Sequence, residues 1–128
     1  MISFYKDKEK RILEPDLFSD TAMKWAKKIN DSGGRDANNR SQLRKFLDEV
    51  IRLNTLAKSN PEDWENILPY INMLIAKAAY AQGRKKVSQE FMDLIKGCIG
   101  QIHIDKDLDV FANFFESFMG FYRQYRAN

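Results

Sequence analysis

The chain has 128 residues, of which 44% are hydrophobic and 30% are charged, and its formal net charge is +3. These values are typical of one globular domain with its own core, and they exclude a collagen-like, mucin-like or largely disordered chain. The small positive charge permits an anionic partner such as a nucleic acid but does not require one.

Three sequence features indicate the cellular compartment. Cys98 is the only cysteine, so an intramolecular disulfide is impossible, as is usual in a reducing cytoplasm. The first fifteen residues are charged and have no apolar run, unlike a signal peptide. The longest apolar stretch, 67–81, is too short to span a bilayer. The sequence therefore predicts a cytoplasmic protein.

Two helices are predicted in the first half of the chain. Residues 1–14 have mixed charge and are predicted to be irregular, and a first helix then runs from Pro15 to the glycines at 33–34, which end it. Ser41 is the expected N-cap of a second helix that reaches about Lys58, because apolar residues recur there at steps of three and four.

A third helix has a strong start at Asn60–Pro61, where asparagine is the cap and proline occupies the first turn. Pro69 removes one backbone hydrogen bond and is expected to kink or split this helix near Asn66. Beyond it, residues 70–81 are apolar on nearly every side, which predicts a helix in the middle of the fold.

The fourth and fifth helices complete the predicted fold. Val87 and Ser88 are placed as the hydrophobic staple and N-cap of the fourth. The fifth begins after Asp105, and its large apolar residues are expected to be buried against the third helix. No stretch alternates long enough to predict a strand. The fold class is therefore all-α, with residues 1–128 forming a single compact domain, a bundle of about five helices.

Catalysis finds little support in the sequence. His103 is the only histidine, lies between two isoleucines and is expected to be a buried or half-buried loop residue. Cys98 lies on an apolar helix with only Lys96 as a basic neighbour, which is typical of a buried structural thiol. One histidine and one cysteine cannot assemble the usual zinc ligand sets. We predict no catalytic residues, no metal and no cofactor, and a protein that is not an enzyme.

Basic residues are the candidates for a binding site. Lys77 is the only charged residue between Asn66 and Gly83, and the basic turn Arg84–Lys86 follows without an intervening acid. A buried, unpaired ammonium is costly, so Lys77 must form an ion pair, extend to the surface or face a ligand. The basic turn can present side chains and backbone amides to phosphates. On charge alone, a solvated face is the more common explanation.

A second basic group follows the predicted second helix. Arg40, Arg44 and Arg52 recur at multiples of four residues, with Asp48 between them and Lys45 beside them. Carboxylates four residues away are expected to pair with part of this group, including Arg44 with Asp48 and Lys45 with Glu49. The only aromatic residues interleaved with the basic groups are Phe46 and Tyr80. The pattern therefore favours contact with a nucleic-acid backbone over the reading of bases.

Three stretches resemble the small helical subunit of type III-A CRISPR effector (Csm) complexes, which act in antiviral defense. They are SQLRKFLDEV at 41–50, ILPYINMLIAKAAYAQGRKKVSQEF at 67–91 and FFESFMGFYR at 114–123. The resemblance implies a non-catalytic helical bundle that assembles with the backbone and large subunits and with further copies of itself. It also implies contacts with the sugar-phosphate chains of guide RNA and target RNA, largely without sequence specificity.

The resemblance and the charge pattern together give the expected site. We predict that the second helix and the basic turn form one shallow RNA-binding surface. Its expected residues are Arg40, Arg44, Lys45, Arg52, Lys77, Arg84, Lys85 and Lys86.

Two other classes of protein remain open from the sequence. One is a helical, dimeric interaction protein or DNA-binding regulatory protein, which would prefer duplex DNA and read bases from a recognition helix. No helix combines base-reading residues with helix-turn-helix spacing. The other is a small enzyme, which would need a titratable cluster that one chain does not offer.

Overall fold

The computed structural model describes residues 2–127, in which five α-helices carry most of the chain. They are α1 (Ala22–Asn30), α2 (Arg40–Ser59), α3 (Trp64–Gly83), α4 (Gln89–Ile99) and α5 (Asp105–Tyr125). A π-helical turn, Leu17–Thr21, leads into α1, and a short 3₁₀ helix, Pro61–Asp63, leads into α3. The predicted all-α fold with about five helices is confirmed.

Helix α5 lies at the centre of the bundle and packs on α1 and α2. Nine of its 21 residues are buried. Ring centroids are 5.7 Å apart from Phe111 to Phe115, 5.8 Å from Phe115 to Phe118 and 5.4 Å from Phe118 to Tyr122. Phe91 of α4 joins this aromatic row at 6.4 Å from Phe115. Burying each such side chain contributes roughly 1.5–3 kcal/mol, so the aromatic row dominates the core.

Helix α3 lies at the edge of the bundle, so its predicted central position is wrong. It packs on α2 and α4, and the aromatic residues of α5 are not buried against it as expected. Only five of its 20 residues are buried, and Tyr70, Met73 and Tyr80 are exposed. Burial at the centre of the bundle stabilises the fold most for large apolar side chains such as those of α5. Leaving the alanine and tyrosine side chains of α3 in contact with water costs the fold little stability.

Pro69 does not split α3, which continues from Trp64 to Gly83 with the proline inside it. The proline lies in the second turn, where its missing N–H would have bonded the carbonyl of Glu65. Both residues are exposed, so water can satisfy that carbonyl. The predicted splitting fails because the interruption lies on the solvent side near the end of the helix.

The N-terminal stretch predicted to be irregular contains a small antiparallel hairpin. Strand β1, Tyr5–Asp7, pairs with β2, Ile12–Leu13. Phe4 is fully buried, and its N–H donates to the side chain of Gln101 at 2.8 Å. The Gln101 side chain also donates to the carbonyl of Ile2 at 2.8 Å, so it hydrogen-bonds this backbone as a neighbouring strand would. Strands of three and two residues are too short for an alternating pattern to reveal them.

The buried carboxylate of Asp107 connects this hairpin to the start of α5 through hydrogen bonds and an ion pair. Asp107 is 3% exposed and accepts the Tyr5 hydroxyl at 2.6 Å and the backbone N–H groups of His103 and Ile104 at 2.9 and 3.1 Å. The Arg11 guanidinium lies 3.0 Å away. Burial by itself raises the pKa of Asp107, but these four donors outweigh it and the pKa is lowered. The carboxylate therefore stays ionised at neutral pH.

Asn38 precedes α2 and connects its start to the ends of three other helices, α1, α4 and α5. It is fully buried with φ at 62°, and its backbone N–H donates to the carbonyl of Lys86 at 2.9 Å. Its side-chain oxygen accepts the Ser88 N–H at 2.9 Å, and its amide nitrogen donates to the Ser88 Oγ at 2.9 Å and the Ile29 carbonyl at 3.1 Å. The Tyr122 hydroxyl donates to the Asn38 carbonyl at 2.6 Å. The start of α2 is thereby held beside the turn that precedes α4.

Two predicted N-caps have different outcomes. Ser88 caps α4 as predicted, because its hydroxyl accepts the Phe91 N–H at 3.2 Å. Ser41 does not cap α2: the cap position lies two residues earlier, at Asn39, and Ser41 is inside the helix. The left-handed turn at Asn38 places the extended residue at 39, so the helix starts before Ser41.

The first prediction concerns Asn38. Asn38→Ala should lower the free energy of unfolding by about 4 kcal/mol, since three buried hydrogen bonds are worth about 1 kcal/mol each and a left-handed alanine costs about 1 more. Asn38→Gly should lower it less, because glycine adopts this φ freely. Urea unfolding measures both. The neighbouring Asn39→Ala is the control, since that side chain makes no capping hydrogen bond; equal losses at both positions would contradict the role of Asn38.

The second prediction concerns the pH dependence of stability. The pKa of Asp107 is lower in the folded chain than in the unfolded chain, where it is about 3.9. Its stabilisation is therefore present above that value and lost as the pH falls toward the folded pKa. Urea unfolding at pH 7 and pH 3 should show a smaller loss for Asp107→Asn than for the wild type. Asp105→Asn, two residues away, should keep the wild-type loss; identical pH dependence of all three proteins would refute the assignment.

Candidate nucleic-acid interface

A groove of about 580 Å³ runs between α2 and α3 and carries four cationic side chains. We call it the basic groove and define it by Lys45 of α2, Lys77 of α3, and Arg84 and Lys86 of the basic turn. These residues come from three segments, and the hydrogen bond between Asn38 and Lys86 holds the first and last of them together. The groove thus unites four of the eight predicted site residues.

Glu49, a carboxylate of the basic groove, already forms ion pairs with two cations. Glu49 accepts two hydrogen bonds from the Arg52 guanidinium, at 2.8 and 2.9 Å, and its carboxylate lies 3.6 Å from the Lys77 ammonium. The hydrogen bonds from Arg52 are the main cause of its lowered pKa. The predicted pairing of Lys45 with Glu49 is wrong, because these two partners occupy the carboxylate.

Three cations of the basic groove have no carboxylate within 4 Å among residues 2–127: Lys45, Arg84 and Lys86. Lys77 was expected to form an ion pair, extend to the surface or face a ligand, and it does the first two. Its side chain is 48% exposed, so it reaches the surface, and it shares Glu49 at a longer distance than Arg52 does. The basic groove therefore keeps an excess of positive charge, offset only by Asp36 and Glu49.

The other cations of α2 face a different groove. Arg40 and Arg44 line a second groove between α2 and α5, together with Arg123 and Glu116. Arg44 is paired with Asp48 at 3.1 Å, as predicted. The single basic surface expected from the sequence is thus divided in two. Successive residues of an α-helix are about 100° apart, so Arg44 and Lys45 face different sides of α2 although they are neighbours in the sequence.

Two predicted residues lie outside both grooves. Arg52 binds Glu49 from the rim, and Lys85 is exposed in the basic turn with φ at 61°. Sequence reasoning did not include Arg123 of α5 among the candidate residues, although this residue lines the second groove. Arg123 lies seven residues after Glu116, two turns along α5, and this spacing places both residues on the same face of the helix.

The residues considered for catalysis lie apart from both grooves. His103 is exposed, so its predicted burial or half-burial is wrong. Its backbone N–H donates to Asp107 and its carbonyl accepts a hydrogen bond from the Trp64 indole, and the residue is otherwise open to solvent. Cys98 is fully buried as predicted, and burial raises the pKa of its thiol. No group of three or more histidine, cysteine or acidic residues within 2–127 could hold a metal ion. No described helix is long and apolar enough to cross a membrane.

Comparison with known proteins identifies the family. A family model described as Csm2 Type III-A matches residues 13–128, which include both grooves and all eight candidate cations. No curated protein and no solved structure matches the chain. The match extends well beyond the three stretches that carry the resemblance in the sequence. The chain therefore belongs to the Csm2 family, the small subunits of type III-A CRISPR (Csm) complexes.

Proposed function

We propose that this small subunit is non-catalytic and binds the backbones of guide RNA and target RNA in the Csm complex, without sequence specificity. The observation that carries the proposal is the basic groove, in which Lys45, Arg84 and Lys86 have no carboxylate partner in the described chain. Unpaired cations in a shallow groove fit phosphates, which are common to every RNA sequence.

The thiol chemistry also favours a binding role. Cys98 is the only cysteine, and burial raises the pKa of its thiol, which keeps the unreactive protonated form. We assign the chain no catalytic step, so any cleavage of target RNA would belong to another subunit. Cytoplasmic localisation stays a prediction of the sequence.

Few phosphate contacts per copy imply weak binding by the isolated chain. Each contact to a single strand contributes about 0.7 to the slope of log affinity against log salt. Several copies placed in a row along one RNA would act together, because each bound copy raises the effective concentration of the next. We therefore propose that further copies of the chain and the backbone and large subunits supply the remaining affinity.

The third prediction tests the basic groove. Replacing Lys45, Arg84 and Lys86 together with alanine should weaken binding to a single-stranded RNA at low salt. It should reduce the slope against log salt by about 2, as expected for three lost phosphate contacts. Fluorescence anisotropy over a salt series gives both values, and circular dichroism confirms that the variant is folded.

A control with the same change in charge separates the groove from net charge. Lys6, Lys8 and Lys10 are exposed on the N-terminal hairpin, and their triple alanine variant should keep the wild-type slope. Lys85→Ala should also have a small effect, since Lys85 does not line the basic groove. Equal weakening by the two triple variants would overturn the proposal, as would a preference of the wild type for duplex DNA.

The fourth prediction concerns Glu49. Glu49→Gln should strengthen RNA binding at low salt, because it removes a negative charge from the basic groove and releases Lys77. Asp48→Asn is the matched control, since Asp48 is the neighbouring carboxylate and pairs with Arg44 on the other side of α2. The same anisotropy assay should show a larger gain for Glu49→Gln. A larger gain for the control would place the RNA on the second groove instead.

A further inference from the structure

Tyr80 is the most exposed of the five tyrosines, at 68%. A single exposed aromatic residue is common on protein surfaces and needs no explanation by itself. Two contacts distinguish Tyr80. Its side chain lines the basic groove, and the guanidinium carbon of Arg84 lies 5.7 Å from the centre of its ring. A flat aromatic ring is thus placed among the cations that we assign to phosphates.

We propose that Tyr80 stacks against a base of the single-stranded RNA whose phosphates bind in the basic groove. The inference rests on the proposed function, because phosphate contacts bring the strand to the ring. Aromatic rings and arginine planes are the usual platforms on which single-stranded bases stack. Every base has such a face, so stacking is compatible with binding that ignores sequence.

The geometry of α3 favours this role for the ring. Tyr80 lies three residues after Lys77 and four before Arg84, so the ring and the two cations share one face of the helix end. The tyrosine is held on a rigid helix rather than on a loop, which reduces the entropy lost on binding. If an RNA strand placed its phosphates on Lys77 and Arg84, the nucleotides between those two contacts would lie next to the Tyr80 ring.

Tyr70 provides a control within the same helix. It is also exposed, at 55%, but it lines neither the basic groove nor the second groove, and no cation in the described part of the chain lies over its ring. If any exposed tyrosine on α3 could bind RNA bases, the two residues would behave alike. If the basic groove determines the site, only Tyr80 matters.

The experiment compares two RNA strands of equal length and charge, an oligouridylate and an abasic ribose-phosphate strand, with the whole chain at low salt. Wild type should bind the oligouridylate at least about fivefold more tightly, the lower end of what one stacked base contributes. Tyr80→Ala should remove this preference and leave the affinity for the abasic strand within about twofold. Tyr80→Phe and Tyr70→Ala should both retain the preference, since the former keeps the ring and the latter lies outside the groove.

Each outcome distinguishes stacking from backbone binding. Equal wild-type affinities for the two strands, or a preference that survives Tyr80→Ala, would overturn the inference while leaving the basic groove as a phosphate site. Loss of the preference in Tyr80→Phe would assign the effect to the hydroxyl group and also overturn it. Failure of the wild type to bind the abasic strand in a salt-dependent way would instead refute the proposed function, and the stacking inference with it.

Discussion

The candidate site depends on the way Asn38 binds the segment that follows the basic turn. Its backbone N–H bonds to the carbonyl of Lys86 and its side chain to the N–H of Ser88, so it contacts both sides of Val87. These bonds are buried, where a lost partner is costly. Because α2 begins just after Asn38, the position of Lys45 on α2 is linked to that of the basic turn. This connection adds to the packing of α3 on α2, which also fixes the two sources of positive charge relative to each other.

The arrangement of the core explains why a helix face is available for partners. The aromatic row of α5 takes the centre of the bundle, and α3 is placed at the edge with only one side buried. The other side exposes Tyr70, Met73 and Tyr80 and contains Lys77, the one charged side chain between Asn66 and Gly83. An apolar helix at the edge of a small subunit leaves surface that an assembly can use, at a modest cost in stability.

Local chemistry could be predicted from the sequence, and long-range packing could not. The Ser88 cap depends on an N–H three residues away, so its residues alone reveal it. The position of α3 depends on which helix fills the centre, and the β-hairpin depends on Gln101, almost a hundred residues from Phe4. In the candidate site, too, local features could be predicted and contacts between distant segments could not. Lys77 and the basic turn were found as a run without acids, but the contact of Lys77 with Glu49 was missed because the two residues lie on different helices.

The contrast between helical and turn cations accounts for part of the distribution of free charge; the exception is Lys45 of α2, whose expected partner Glu49 binds Arg52 and Lys77 instead. On α2, a cation has neighbours three and four residues away on the same face, and Arg44 and Arg52 use them to pair with Asp48 and Glu49. The basic turn has no such periodic neighbours, and Arg84 and Lys86 have no carboxylate within 4 Å in residues 2–127.

This difference favours the turn as a phosphate contact. A cation that is already paired must give up its carboxylate before it can bind a phosphate, whereas an unpaired one gains the whole interaction and releases counterions from the RNA. Lys77 is intermediate, since its 3.6 Å contact to Glu49 is longer than the 2.8 Å contact made by Arg52, and a phosphate would compete for it more easily. The cations best suited to a polyanion are therefore those that the helices do not pair internally.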